Sequence, residues 1–178
     1  MIRCAFAGLV MLALSGAAAA EEDHGSILVD VFAKTCARRP ALPSELELLA
    51  AELGFVEDGG PITADMQAGP QIDIVYTARL IKRGEKIASI SAYFSGPANA
   101  PTVSCGVSAF NVSAEALPGL IEKSLKVRDR SDAPAAEDDR RQAKWRLGAA
   151  ADADTLEMST RRNPPRLASI HVAYRGKR

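Results

Sequence analysis

The stretch that most constrains this chain is residues 86–112, KIASISAYFSGPANAPTVSCGVSAFNV. Apolar and small polar residues alternate on both sides of a Gly/Pro/Asn loop, the two-residue period of half-buried strands. In the first run Ala88, Ile90, Ala92 and Phe94 share one face, and Ser89, Ser91 and Tyr93 share the other. In the second, Val103, Cys105, Val107 and Ala109 are in phase, so Cys105 points toward a core with the apolar residues. Such alternation commits the segment to antiparallel strands with one wet face.

The same period extends upstream. Ile72, Ile74, Tyr76, Ala78 and Leu80 alternate with Asp73, Val75, Thr77 and Arg79, which makes a three-stranded meander. Two amphipathic helices precede it. The first is expected over residues 27–39, where Leu28, Val31, Phe32, Thr35 and Cys36 recur at three- and four-residue steps between Ser26 as N-cap and Pro40 as stop. The second is expected over residues 44–53, with Ser44-x-x-Glu47 as a capping box and Leu46, Leu49, Ala50 and Leu53 as its stripe.

After the meander a further helix begins near Ser113, with Pro118 in its first turn and Leu117, Leu120, Ile121 and Leu125 facing in. Three more strands are expected at about residues 143–148, 155–160 and 167–175, with Trp145, Leu156, Met158, Ile170, Val172 and Tyr174 inward. The order α-α-β-β-β-α-β-β-β predicts a single α+β domain: an antiparallel sheet of five to six strands with helices packed on one face. A helix followed by a meander occurs twice, although no residues match between the halves. The polar segments near 57–70 and 128–142 are expected to be mobile.

Residues 1–20 stand apart from this domain. Met1-Ile2-Arg3, an apolar run from Ala5 to Leu14 and the small residues Ala17 to Ala20 read as a signal peptide cut after Ala20. The run is about half of what a bilayer span needs, so a membrane anchor is the weaker reading and the mature chain has none. The expected location is periplasmic or secreted. Cys4 leaves with this segment, and Cys36 and Cys105 remain as an even pair in an oxidising compartment. A disulfide is favoured over two inert thiols, and far over a redox pair, because there is no C-x-x-C.

Charge and composition narrow the chemistry. Lys and Arg total 22 against 22 Asp and Glu, so no general attraction to nucleic acid is expected. The balance conceals a division, about −5 over residues 21–110 and about +4 over residues 111–178. Arg161, Arg162, Arg166, Lys177 and Arg178 form a basic patch suited to an acidic envelope protein or an anionic envelope surface, set against the bland reading of ordinary edge charges.

Only two histidines occur, His24 and His171, and no G-x-S-x-G elbow marks a nucleophile; a Ser–His–Asp arrangement would need Ser89, Ser91 or Ser169 beside His171. A copper or nickel site at Glu22-Asp23-His24 requires cleavage one residue further on. Glu85, Asp73 and Glu157 are the acids available for carboxylate hydrolysis, with nothing to distinguish them from solvated strand faces. Tyr76, Phe94, Trp145 and Tyr174 line a small-ligand pocket if the sheet leaves one, and are core aromatics otherwise. No catalytic set, metal site or cofactor is expected. The reading is an exported, non-catalytic binding or accessory protein of the cell envelope, with a carboxylate hydrolase, an inhibitor of one, or a small-ligand carrier as alternatives.

Overall fold

The structure, a computed structural model, describes residues 23–58, 62–63, 71–133, 140–148, 154–161 and 166–176. Helix α1 (Gly25–Lys34) runs into a 3-10 turn (Cys36–Arg38), and α2 (Pro43–Glu52) follows. Strands β1 (Val56–Glu57) and β2 (Ile62–Thr63) lead to the long meander β3 (Gln71–Lys82), β4 (Glu85–Pro97) and β5 (Thr102–Phe110). Helix α3 (Leu117–Ser124) connects to β6 (Val127–Asp132), β7 (Arg140–Leu147), β8 (Asp154–Arg161) and β9 (Leu167–Arg175). The α+β class stands.

The sheet is larger than the five to six strands expected. Eight strands form one hydrogen-bonded path, β1-β3-β4-β5-β9-β8-β7-β6, and β2 pairs beside it with β3. The additional strands come from segments read as connectors. In residues 127–132 only Val127 is even partly buried, so no apolar alternation marks β6; it is held by backbone pairing with β7. Likewise β7 begins at Arg140, inside the segment expected to be mobile. Both β1 and β2 fall at or within the other such segment.

Around its centre the strand order is palindromic: β3-β4-β5 on one side, β9-β8-β7 on the other, joined by the antiparallel pair β5–β9. Helices lead into each meander, α1 and α2 before the first and α3 before the second. At the β3–β4 hairpin, Arg83 and Gly84 both have positive φ, the two-residue turn whose twist matches paired strands, with Lys82 opposite Glu85.

One face of the sheet is buried under the helices. Register aligns Tyr76, Ala92, Cys105, Val172, Leu156 and Trp145 in one row across β3, β4, β5, β9, β8 and β7. A second row is small, Ala88, Ala109, Ala168 and Thr160, and leaves room for backbone to approach. Helix α1 lies over β5 and β9 and packs against α3. Leu28, Phe32, Leu117 and Ile121 are fully buried there.

Helix boundaries differ from the sequence expectation for local reasons. Helix α1 starts at Gly25, not after Ser26, because Asp23 Oδ1 accepts from the Gly25 N–H at 2.9 Å and His24 N–H donates to Asn111 O at 3.1 Å. It stops at Lys34, since Thr35 leaves helical dihedrals while its hydroxyl donates back to Val31 O at 2.7 Å. Cys36 therefore sits on the 3-10 turn. For α2 the capping carboxylate is Glu45, not Glu47: it accepts from the N–H groups of Ala41 at 2.7 Å and Leu42 at 3.3 Å.

Candidate functional site

Cys36 and Cys105 are bonded, 5.5 Å apart at Cα and both fully buried. The bridge ties the turn after α1 to the central strand β5. Next to it Tyr174 donates its hydroxyl to Pro40 O at 3.0 Å, and Arg39 stacks 5.6 Å from that ring while pairing with Asp154 at 2.9 Å. This corner of the molecule is a structural clamp.

The four aromatics singled out as pocket candidates are core residues, each at most 4 % exposed. Tyr76 and Trp145 end the same register row five strand spacings apart, roughly 24 Å at about 4.8 Å each, so they cannot line one pocket. Phe94 and Tyr174 stand on either side of Val103 in register, two strand spacings apart, and both are buried. Trp145 is closed over by α3 and β6: its indole N–H donates to Glu122 Oε1 at 3.2 Å, and the Arg130 guanidinium lies 5.7 Å from its ring.

Burial pushes the Tyr76 phenol up to about 12, with the Glu47 and Glu57 carboxylates adding to it. Burial also raises Tyr174. A hydrogen bond to Asp73 raises Tyr93. All three tyrosines of the chain are thus shifted the same way. An unfolded phenol ionises near 10, so above that pH the unfolded chain binds fewer protons than the folded one. Stability contributed by the protonated phenols is complete below pH ~10 and falls as pH rises through about 12. An absorbance titration of phenolate alongside thermal melts checks this. A phenolate midpoint near 10 with the fold intact contradicts it.

Among the described residues no helix packs on the other face of the sheet. On β7, β8 and β9 it presents, among the described residues, Arg140, Lys144, Arg146, Arg161 and Arg175, all exposed, against the single carboxylate Glu157. Lys144 Nζ and Glu157 Oε1 are 2.7 Å apart. Arg140 and Arg161 stand directly opposite one another across β7 and β8. Between these charges and the β3 edge the central strands present small polar residues, Ser89 and Ser91 on β4, Ser104, Gly106 and Ser108 on β5, Ser169 and Ala173 on β9 and Ser159 on β8, with Tyr93 on β4 and Leu167 on β9 the larger exposed side chains among them.

His171 stands in the middle of this face with Nε2 2.6 Å from Ser104 Oγ. A Cβ on Gly106 would meet the His171 ring at 3.3 Å and Ile170 O at 3.2 Å, so the bare backbone there is what lets the imidazole lie against β5. The serine partner is Ser104, not Ser89, Ser91 or Ser169. Glu157 lies opposite His171 in register but is committed to Lys144. Backbone N–H groups around the pair are consumed by strand pairing, which leaves no donor set for an oxyanion. Two shallow hollows of about 180 Å³ open on this face. One is lined by Gln142, Lys144, Glu157, Ser159, Ser169 and His171, the other by Arg140, Ser159, Arg161, Leu167 and Ser169.

Of the basic residues read from the sequence, Arg161 belongs to this face. Arg166 lies apart, beside a third hollow of about 190 Å³ formed with residues 112–115. Arg162, Lys177 and Arg178 fall outside the described residues. The face residues Arg140, Lys144 and Arg146 carry a period-two signal, with Ala143 and Trp145 between them buried. Arg140 was missed because its segment reads as charged loop.

The candidate acids are not assembled. Asp73 on β3 and Glu157 on β8 are four strand spacings apart, roughly 19 Å, far beyond the ~5–10 Å of a hydrolytic carboxylate pair. Glu85 is at the exposed end of the β3–β4 hairpin. His24 Nδ1 donates to Phe110 O at 3.0 Å, which occupies the nitrogen an N-terminal copper site would use. Among the described residues no group of three His, Cys, Asp or Glu side chains is placed to hold a metal ion, and no helix is long and apolar enough to cross a membrane. Comparison with family models, curated proteins and solved structures returned no match.

Proposed function

We propose that the protein is exported and acts in the cell envelope as a non-catalytic binding or accessory protein, with the uncovered face of its sheet as the contact surface. The observation that carries the binding reading is the composition of the β7–β9 part of that face: among the described residues, five exposed cations, one carboxylate and several small hydroxyl side chains, with no assembled catalytic set beside them. An enclosed, largely apolar cavity is the usual site for a small ligand, and the hollows here are open and shallow. A broad charged surface suits an extended anionic partner instead.

Export is supported by the segment 1–20 and by the buried Cys36–Cys105 bond, which persists most readily in an oxidising compartment. Cell fractionation with mass spectrometry under non-reducing conditions tests it. The expected product is in the envelope fraction, begins at Glu21 and is two hydrogens lighter than its reduced form. A cytosolic chain retaining residues 1–20 with free thiols overturns the reading.

A further inference from the structure

The uncovered face has a second regularity besides its charge. Ser89, Ser108, Ser169 and Ser159 occupy one register row across β4, β5, β9 and β8, and Gln142 continues the row on β7. Adjacent strands are about 4.8 Å apart, so four hydroxyls repeat over roughly 14 Å. Ser89 and Ser108 share a hydrogen bond of 2.8 Å. Among the described residues no side-chain hydrogen bond occupies Ser159 or Ser169. The two hollows meet at those two serines, and one of them extends to the opposed guanidiniums of Arg140 and Arg161.

We propose that this serine row is the floor of a docking site for a carboxylated polysaccharide of the cell envelope. Sugar hydroxyls lie on the serines, and a carboxylate falls between Arg140 and Arg161. The assignment rests on the binding role given above to the uncovered face. Charge selects an anion, and a guanidinium is the side chain that grips a carboxylate with two parallel bonds. The floor then selects among anions. Each serine hydroxyl both donates and accepts, which matches a ligand rich in hydroxyls. An acidic peptide or a lipid surface would instead call for apolar anchors. Among the described residues the two hollows hold one exposed apolar side chain, Leu167 at the edge of the Arg140–Arg161 hollow, and the sheet's others, Tyr93, Ile81 and Val56, stand apart on β4, β3 and β1. A flat floor with repeated hydroxyls suits a polymer chain.

The test measures binding of the mature protein to alginate, neutral dextran, poly-L-glutamate and phosphatidylglycerol vesicles at fixed ionic strength. Alginate is expected to bind tightest and dextran not at all. Ser159→Val with Ser169→Val should weaken alginate about tenfold, the worth of one or two hydrogen bonds, and leave poly-L-glutamate unchanged. Arg161→Glu should weaken both polyanions by about tenfold or more, while its melting temperature holds because the new carboxylate faces Arg140. Equal binding of alginate and poly-L-glutamate, indifferent to the serine changes, overturns the polysaccharide assignment but leaves the face as a charge-reading surface. Preference for vesicles overturns it in favour of membrane. If none of the four binds, the binding role of the face falls with it.

Discussion

Replacing Cys36 and Cys105 together by alanine is expected to lower the unfolding free energy by about 4 kcal/mol, from the chain entropy restored to a 69-residue loop. The native structure gains nothing to offset that loss. Both sulfurs are fully buried, and Cys105 sits mid-row between Ala92 and Val172, so the removed atoms leave a small void as well. The loss is large against the ~5–15 kcal/mol typical of a folded domain, so the variant should be folded only marginally at 37 °C. Urea unfolding of the oxidised protein, the reduced protein and the double variant reads the effect. Reduced and double-variant proteins should agree within about 1 kcal/mol, because the residual thiols add little. An oxidised protein no more stable than the double variant would show that the bridge does not constrain the unfolded chain.

Trp145→Ala is expected to cost about 3–5 kcal/mol, the range for deleting a large buried aromatic and leaving a cavity. It also removes one of the two donors to Glu122, leaving Arg130, and takes away the ring beneath that guanidinium. Trp145→Phe should cost less, about 1–2 kcal/mol, since ring volume is largely retained and the N–H bond is lost. This is the only tryptophan in the chain, so its emission reports this site alone. Emission should be blue-shifted and poorly quenched by acrylamide in the native state. A red-shifted, readily quenched tryptophan, with a truncation cost under about 1 kcal/mol, would return Trp145 to the role of a pocket wall.

What the sequence made legible follows from where burial imposes a period. On β4, β5 and β9 one face is packed and the other wet, so alternation reveals both the strands and the inward direction of Cys105. Its pairing with Cys36 follows by elimination, as the other cysteine lies in the segment expected to be cleaved. Strand β6 was illegible because no apolar alternation marks it: backbone pairing with β7 and the contact of Arg130 with Trp145 and Glu122 hold it. The contact of Ser104 with His171 was illegible for a different reason. It joins residues 67 apart through the β5–β9 pairing, and nothing in either strand names its neighbour. The charged face was half legible: Lys144 and Arg146 lie on an expected strand, whereas Arg140 lies in a run of acids and arginines that resembles a tether.

The palindromic strand order has a consequence for how the chain assembles. Within each meander, strands pair with near neighbours in sequence and can form early from local contacts. The β5–β9 seam is different: it matches residues 102–110 with residues 167–175, so each of its bonds closes a loop of roughly sixty residues or more. The slow step of folding thus concentrates at one seam between two halves. The disulfide lies wholly on the first half's side of that seam, so it can be sealed before the second half has arrived.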